Sequence, residues 1–183
     1  VRETLALQEV QNLDKKAKRR RVLTPEEIDE LQELEVESRE ILQRYHSGMR
    51  EMQVRLEILN EELKLTRHRN PIHHIESRLK TSASIFEKLR RYGKDATLAD
   101  MEEYIMDIAG LRVIVSYVKD AYALLNRLQA QDDLTIVTVK AYIANPKPNG
   151  YRSLHLIVKI PVYFLDEKRD IPVEIQIRSI AMD

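Results

Sequence analysis

The chain has 183 residues, room for one domain with a sizeable core and an appendage. At 43% hydrophobic and 33% charged it has the balance of a globular chain, with no apolar run long enough to read as a membrane span. With no cysteine there is neither a disulfide framework nor a thiolate metal site, and 30 basic against 30 acidic residues mean that any anion site is built locally.

The N-terminus lacks a basic-then-apolar leader pattern, which with the missing cysteines fits a cytoplasmic protein. The basic run Lys15–Arg21 reads as a solvated helix end or linker in preference to a nucleic-acid patch. Residues 24–66 read as one long helix, with Thr24 as N-cap, Pro25 at the first helical position and Glu27 completing a capping box. Along it Leu42, Tyr45, Met49, Met52, Leu56, Leu59 and Leu63 recur at spacings of three and four. That stripe suits a helix laid on its own domain, with a self-associating coiled coil as the alternative. His73 and His74, with His68 nearby, read as surface or turn residues, because adjacent histidines on a regular element do not readily share one ion.

Two short helices follow: "TSASIFEKLRRYG", with Thr or Ser caps and Gly93 as its stop, and "TLADMEEYIM", capped by Thr97. Then come a strand "LRVIVSYV", a helix across Ala121 to Leu128, and three strands, "LTIVTVKAYI", "SLHLIVKIPVYF" and "PVEIQIRSIA". One βαβ crossover followed by hairpin-like connections predicts an α/β domain, a mixed β-sheet flanked by helices. The boundary falls near Asn70, giving a helical extension over 1–69 and a catalytic or binding domain over 70–183.

Polar residues interrupt strands that ought to be apolar. Alternation sets Val173, Ile175 and Ile177 against Glu174, Gln176 and Arg178, and Leu111, Val113 and Val115 against Arg112 and Ile114. It also puts Tyr151, Ser153 and His155 on one face. A half-exposed sheet explains one such strand, but several bearing a carboxylate, an amide, an Arg, a Tyr and a His point to a nucleotide site. Asp107 precedes the strand of Arg112, with Gly110 permitting a tight approach; paired with Glu174 it is a candidate for holding Mg²⁺. Arg78 and Lys80 precede Ser84, Lys88 and Arg91, which are spaced along one helix face and read either as a solvated basic surface or as part of a triphosphate cradle. Lys140 and Lys147 flank the loop ahead of Tyr151. No P-loop and no G-x-G-x-x-G occurs.

The segments "NPIHHIESRLK…SIFEKLRRYG", "DIAGLRVIV", "YIANPKPNGYRSLHLIV" and "PVEIQIRSIAMD" together resemble the synthetase domain of the RelA/SpoT homologues, from about Asn70 to Asp183. They are most similar to its stand-alone members, the small alarmone synthetases, of the RelP rather than the RelQ type. The resemblance implies a nucleotidyltransferase-like fold that transfers pyrophosphate from ATP to the 3′-hydroxyl of GDP or GTP with Mg²⁺, making the ppGpp or pppGpp of the stringent response. It implies Tyr151 stacked on guanine, His155 and Lys147 at the guanosine nucleotide's phosphates with Lys140 beside them, and Asn149-Gly150 as the turn that presents the Tyr. Arg78 and Arg112 would sandwich the adenine, and Lys80, Ser84, Lys88 and Arg91 would hold the ATP phosphates. Asp107 and Glu174 would position Mg²⁺, with Glu174 also accepting the 3′-hydroxyl proton and Gln176 orienting that hydroxyl.

The stripe from Leu42 to Leu63 together with the resemblance motivates a homo-oligomer, a tetramer by preference, and with no paired His-Asp hydrolase motif in the sequence no alarmone hydrolysis by this chain is expected. Ala141 stands where the family commonly has Asp, and the chain stops at "IAMD", short of the family's C-terminal helices. Two rival readings are a catalytically degenerate nucleotide- or RNA-binding regulator and a different nucleotidyltransferase. Asp107, Glu174 and Gln176 speak for an enzyme, while the balanced net charge gives RNA binding no support and nothing indicates a membrane.

Overall fold

Thr24 starts the first helix by the predicted reciprocal capping: Glu27 N–H donates to Thr24 Oγ1 at 3.2 Å and Thr24 N–H to Glu27 Oε2 at 2.9 Å. This helix, α1, runs Pro25–Arg67 in a computed structural model that describes residues 24–67 and 69–183. The basic run Lys15–Arg21 and His68 lie outside the described residues. The described residues divide into two compact units, one of residues 24–44 with Thr81–Ile105 and one of Tyr45–Lys80 with Met106–Asp183.

In the first unit, helix α2 spans Ser82–Arg91 and helix α3 spans Leu98–Tyr104. Thr81 and Thr97 cap them through their hydroxyls, and Gly93 stops α2 at φ +65°, a conformation that suits glycine because it lacks a Cβ. Its buried apolar side chains are Ile41, Ile85, Leu89, Leu98, Met101 and Ile105.

The second unit holds the sheet. Its strands are β1 (Ile72–Leu79), β2 (Ala109–Val115), β3 (Thr135–Ala141), β4 (Leu154–Tyr163) and β5 (Lys168–Ser179), with helix α4 (Val118–Gln129) after β2. The order is β1-β2-β5-β4-β3. Among the described strands only β2 and β5 pair in parallel; the other pairs are antiparallel, so the sheet is mixed as the sequence predicts. Strand β1 was not foreseen. Its apolar residues, Ile72, Ile75 and Leu79, are spaced three and four apart, a helix-like stripe rather than a period of two, and its pairing with β2 overrides that local pattern. The pairing skips His73 as a bulge, and His73 and His74 are exposed, as surface residues should be.

One sheet face is a dry core. Leu111, Val113, Leu156, Val158, Val173, Ile175 and Ile177 are all at most 1% exposed. Helix α1 reaches this face at Gly48, where an added Cβ would lie 2.5 Å from Ile171 Cγ2. Helix α4 packs on β5 and β2. Tyr45, Met49, Met52, Leu56 and Leu63 of the α1 stripe are buried and Leu42 and Leu59 half-buried, so the stripe is spent within the chain rather than left for self-association. Among the described residues no helix is long and apolar enough to cross a membrane.

Candidate active site

Residues paired directly across neighbouring strands project to the same face of a sheet. One such row crosses all five strands: Glu76 on β1, Arg112 on β2, Gln176 on β5, His155 on β4 and Lys140 on β3. The adjacent row carries Arg78, Gly110 and Glu174 and continues into Ile157 and Thr138. On the other side lie His74, Ile114 and Arg178. The face opposite the dry core is therefore a lattice of charged and hydrogen-bonding groups, three rows deep.

Glu76, Arg78, Lys80, Asp107, Gly110, Arg112, Glu174 and Gln176 line one cleft on this face. Lys80 is tied in by its main chain, which donates to Ile108 O at 2.7 Å, and its Nζ lies 3.0 Å from Asp107 Oδ2. Arg112 Nη1 stands 3.5 Å from Glu76 Oε2. Gly110 does not serve a tight chain approach: an added Cβ would meet only Arg78 O, at an ordinary 3.6 Å. Its place between Arg78 and Glu174 instead leaves the cleft floor without a side chain.

Glu174 is the most tightly held carboxylate here. Gln176 Nε2 donates to its Oε2 at 3.0 Å, and His155 Nδ1 lies 3.4 Å from its Oε1. Burial pushes the Glu174 carboxyl up, but the hydrogen bonds from His155 and Gln176 outweigh it and hold the group below the usual carboxylate range, against an opposing push from Asp107. Glu174 is thus ionised at neutral pH. Two carboxylates open on one cleft, one against an ammonium and the other against an imidazole and an amide. As hard oxygen donors they suit Mg²⁺, which takes one or two carboxylates and completes its shell with water and phosphate. No group of three or more His, Cys, Asp or Glu able to hold a metal occurs among the described residues, so such an ion would depend on the nucleotide for its remaining ligands.

The loop before β4 presents Tyr151. Asn149 Oδ1 accepts from Tyr151 N–H at 3.2 Å and Gly150 adopts φ +80°, so Asn149 shapes the turn with its side chain. Lys147 N–H donates to Tyr151 O at 3.1 Å and its Nζ lies 4.6 Å from the Tyr142 ring centroid and 5.1 Å from that of Tyr151. The Tyr151 hydroxyl is 2.7 Å from His155 Nε2 and accepts from Arg178 Nη2, also at 2.7 Å. Ser153 lies just before β4, which begins at Leu154, and is fully buried with its Oγ lacking a hydrogen-bond partner.

Ser84, Lys88 and Arg91 belong to α2 in the first unit: Ser84 N–H donates to Thr81 Oγ1, Lys88 Nζ lies 5.8 Å from the Tyr92 ring centroid, and Arg91 is exposed. Three groups beside the site were missed by sequence reasoning alone: Glu76, Tyr142 and Arg178 in its contact with Tyr151. Tyr142 meets the His155 ring edge-on at 5.3 Å. Only Arg178 left a signal, as the third member of the polar face of "VEIQIR".

A family model described as the region found in RelA / SpoT proteins matches residues 77–183. GTP pyrophosphokinase YwaC of Bacillus subtilis (strain 168) is 45% identical over 139 residues, 76% of this chain and 66% of that protein. GTP pyrophosphokinase YjbM of the same strain is 37% identical over 139 residues, 76% of this chain and 64% of that protein. The chain therefore spans just under two thirds of the length of these curated relatives. The crystal structure of small alarmone synthetase 1 from Bacillus subtilis bound to its product pppGpp matches with a TM-score of 0.72 at 35% identity, over 80% of this chain and 74% of that one. The same synthetase bound to AMPCPP gives a TM-score of 0.66 at 31% identity, over 80% and 72%.

Proposed function

The chain belongs to the RelA/SpoT family, and from that premise we propose that it is a GTP pyrophosphokinase, transferring pyrophosphate from ATP to the 3′-hydroxyl of GDP or GTP. The carrying observation is that Arg78, Arg112, Asp107, Glu174 and Gln176 line one cleft, while Tyr151 is joined to Glu174 through His155.

In this reading the planar guanidinium faces of Arg78 and Arg112 flank the adenine, where Lys could not substitute. Tyr151 stacks on guanine, and Lys147 and Lys140 meet the phosphates of the guanosine nucleotide, with His155 beside them in the same site. Lys80, Ser84, Lys88 and Arg91 serve the ATP phosphates, and Asn149 acts through the turn it shapes. Asp107 and Glu174 would hold Mg²⁺, which when bound neutralises phosphate charge. Gln176 orients the 3′-hydroxyl. The O3′–Pβ bond forms as the bond from Pβ to the α–β bridging oxygen breaks, AMP leaves, and the hydroxyl proton passes to Glu174. A carboxylate held ionised is a weak base, so that proton moves late. A loose phosphoryl-transfer transition state tolerates this, since it asks mainly for alignment and charge neutralisation.

The RelP rather than the RelQ type, a homotetramer and a cytoplasmic place in the stringent response complete the proposal, carried by the sequence resemblance. The decisive assay is thin-layer separation of labelled ATP incubated with Mg²⁺ and either GDP or GTP. A slow-moving guanosine product bearing the label at its 3′ position is expected. Binding of both nucleotides without product would assign the chain to a regulator instead.

A further inference from the structure

We infer that Arg178 is a positioning residue, which holds Glu174 ready through a directed hydrogen-bond chain that runs over the Tyr151 hydroxyl and the His155 ring. The inference rests on the proposed transfer reaction and adds to it a residue, and a second task for Tyr151, that stacking does not require.

Direction follows from donor chemistry. A guanidinium has only N–H donors, so Arg178 Nη2, 2.7 Å from Tyr151 Oη, obliges that oxygen to accept. The Tyr151 O–H is then free to donate to His155 Nε2, also at 2.7 Å. With Nε2 accepting, the proton of a neutral imidazole sits on Nδ1, and Nδ1 is the atom 3.4 Å from Glu174 Oε1. The opposite tautomer would turn an imidazole lone pair on a carboxylate oxygen. Gln176 donates to the second oxygen, Oε2, at 3.0 Å, so both oxygens of Glu174 are addressed by fixed donors.

Arg178 is built to hold its end of this chain. Its side chain is only 15% exposed, its Nη1 lies 3.6 Å from Asp183 Oδ1, and its Cζ lies 4.6 Å from the Tyr151 ring centroid. Its Nε is buried without a hydrogen bond, a sacrifice that a guanidinium placed only for solubility would not make. The ring that would stack on guanine is thus backed by a cation, and its hydroxyl is spoken for.

The test separates the hydroxyl from the ring. In Tyr151→Phe the stacking surface survives and the chain is cut, so kcat should fall by roughly ten- to a hundredfold, the usual loss when a supporting partner is removed, while KM for GTP or GDP stays unchanged. Arg178→Met should lower kcat similarly, and the double variant should be no slower than the worse single one. In ¹⁵N spectra at neutral pH, wild-type His155 should show the Nδ1–H tautomer and Tyr151→Phe should shift it toward Nε2–H. A Tyr151→Phe enzyme with wild-type kcat, or wild-type His155 in the Nε2–H form, overturns the inference. Absence of product from the wild type overturns the transfer reaction instead, and the tautomer then decides the chain of contacts alone.

Discussion

The two faces of strand β5 differ by one residue in sequence and by everything in chemistry. Val173, Ile175 and Ile177 are fully buried, whereas Glu174, Gln176 and Arg178 are half-buried and bonded to one another's neighbours. The first set holds the fold and could be exchanged for other apolar residues of similar volume. The second adds little to the fold and cannot be exchanged without changing what the sheet binds. The parallel neighbour β2 repeats the division, with Leu111 and Val113 on the dry side and Gly110 and Arg112 in the cleft.

Substitutions on the dry face should strike stability and spare chemistry. Ile175→Ala, at a site with no exposure, should cost about 2–5 kcal/mol from lost burial and the cavity left behind. Urea unfolding monitored by circular dichroism would show it as a lower midpoint, while the folded fraction keeps its nucleotide affinities.

On the open face the effects should sort by nucleotide. Tyr151→Ala should weaken GDP and GTP binding by about 1–3 kcal/mol, the worth of one base stacked on an aromatic ring, and leave ATP nearly untouched. Arg112→Ala should do the reverse. Calorimetry in which both variants lost the same nucleotide would remove the assignment of two separate base sites.

The smallest effect belongs to a pair on the side that holds the fold. Arg55 of α1 bonds both oxygens of Asp133, at 2.6 and 2.8 Å, and holds that carboxyl below its usual value, chiefly through the hydrogen bond. A carboxyl depressed in the folded state stabilises above its unfolded value and loses that contribution as pH falls through the folded one. The wild type should therefore lose a little stability below about pH 4, and Arg55→Ala should lose less there. For so exposed a pair the difference should be below about 1 kcal/mol. Equal acid sensitivity in the two proteins would show that the pair contributes nothing.

Much of this division was legible before any coordinates. The capping box at Thr24, the caps at Thr81 and Thr97, and the glycine stop at Gly93 are local signals, and the alternation along "VEIQIR" assigned both faces of β5. What stayed hidden depends on distant partners. Strand β1 carries the three-and-four spacing of a helix and becomes a strand by pairing with β2. Ser153 obeys the alternation in sequence yet precedes the strand. The link from Arg178 to Tyr151 joins residues 27 apart, and the row from Glu76 to Lys140 exists only because β5 inserts between β2 and β4. No local pattern encodes such an insertion.

The sharpest single measurement is turnover and unfolding of Glu174→Gln on the same sample. The substitution keeps shape and hydrogen-bonding reach while removing the negative charge and the proton acceptor, and its neighbours Val173 and Ile175 lie on the opposite face. At saturating nucleotides and Mg²⁺, turnover should fall by at least ~10²-fold, the scale of a positioned acid–base or electrostatic group, with guanosine nucleotide binding and the unfolding midpoint nearly unchanged. Near-wild-type turnover would contradict the account and leave the open face of the sheet without a catalytic carboxylate.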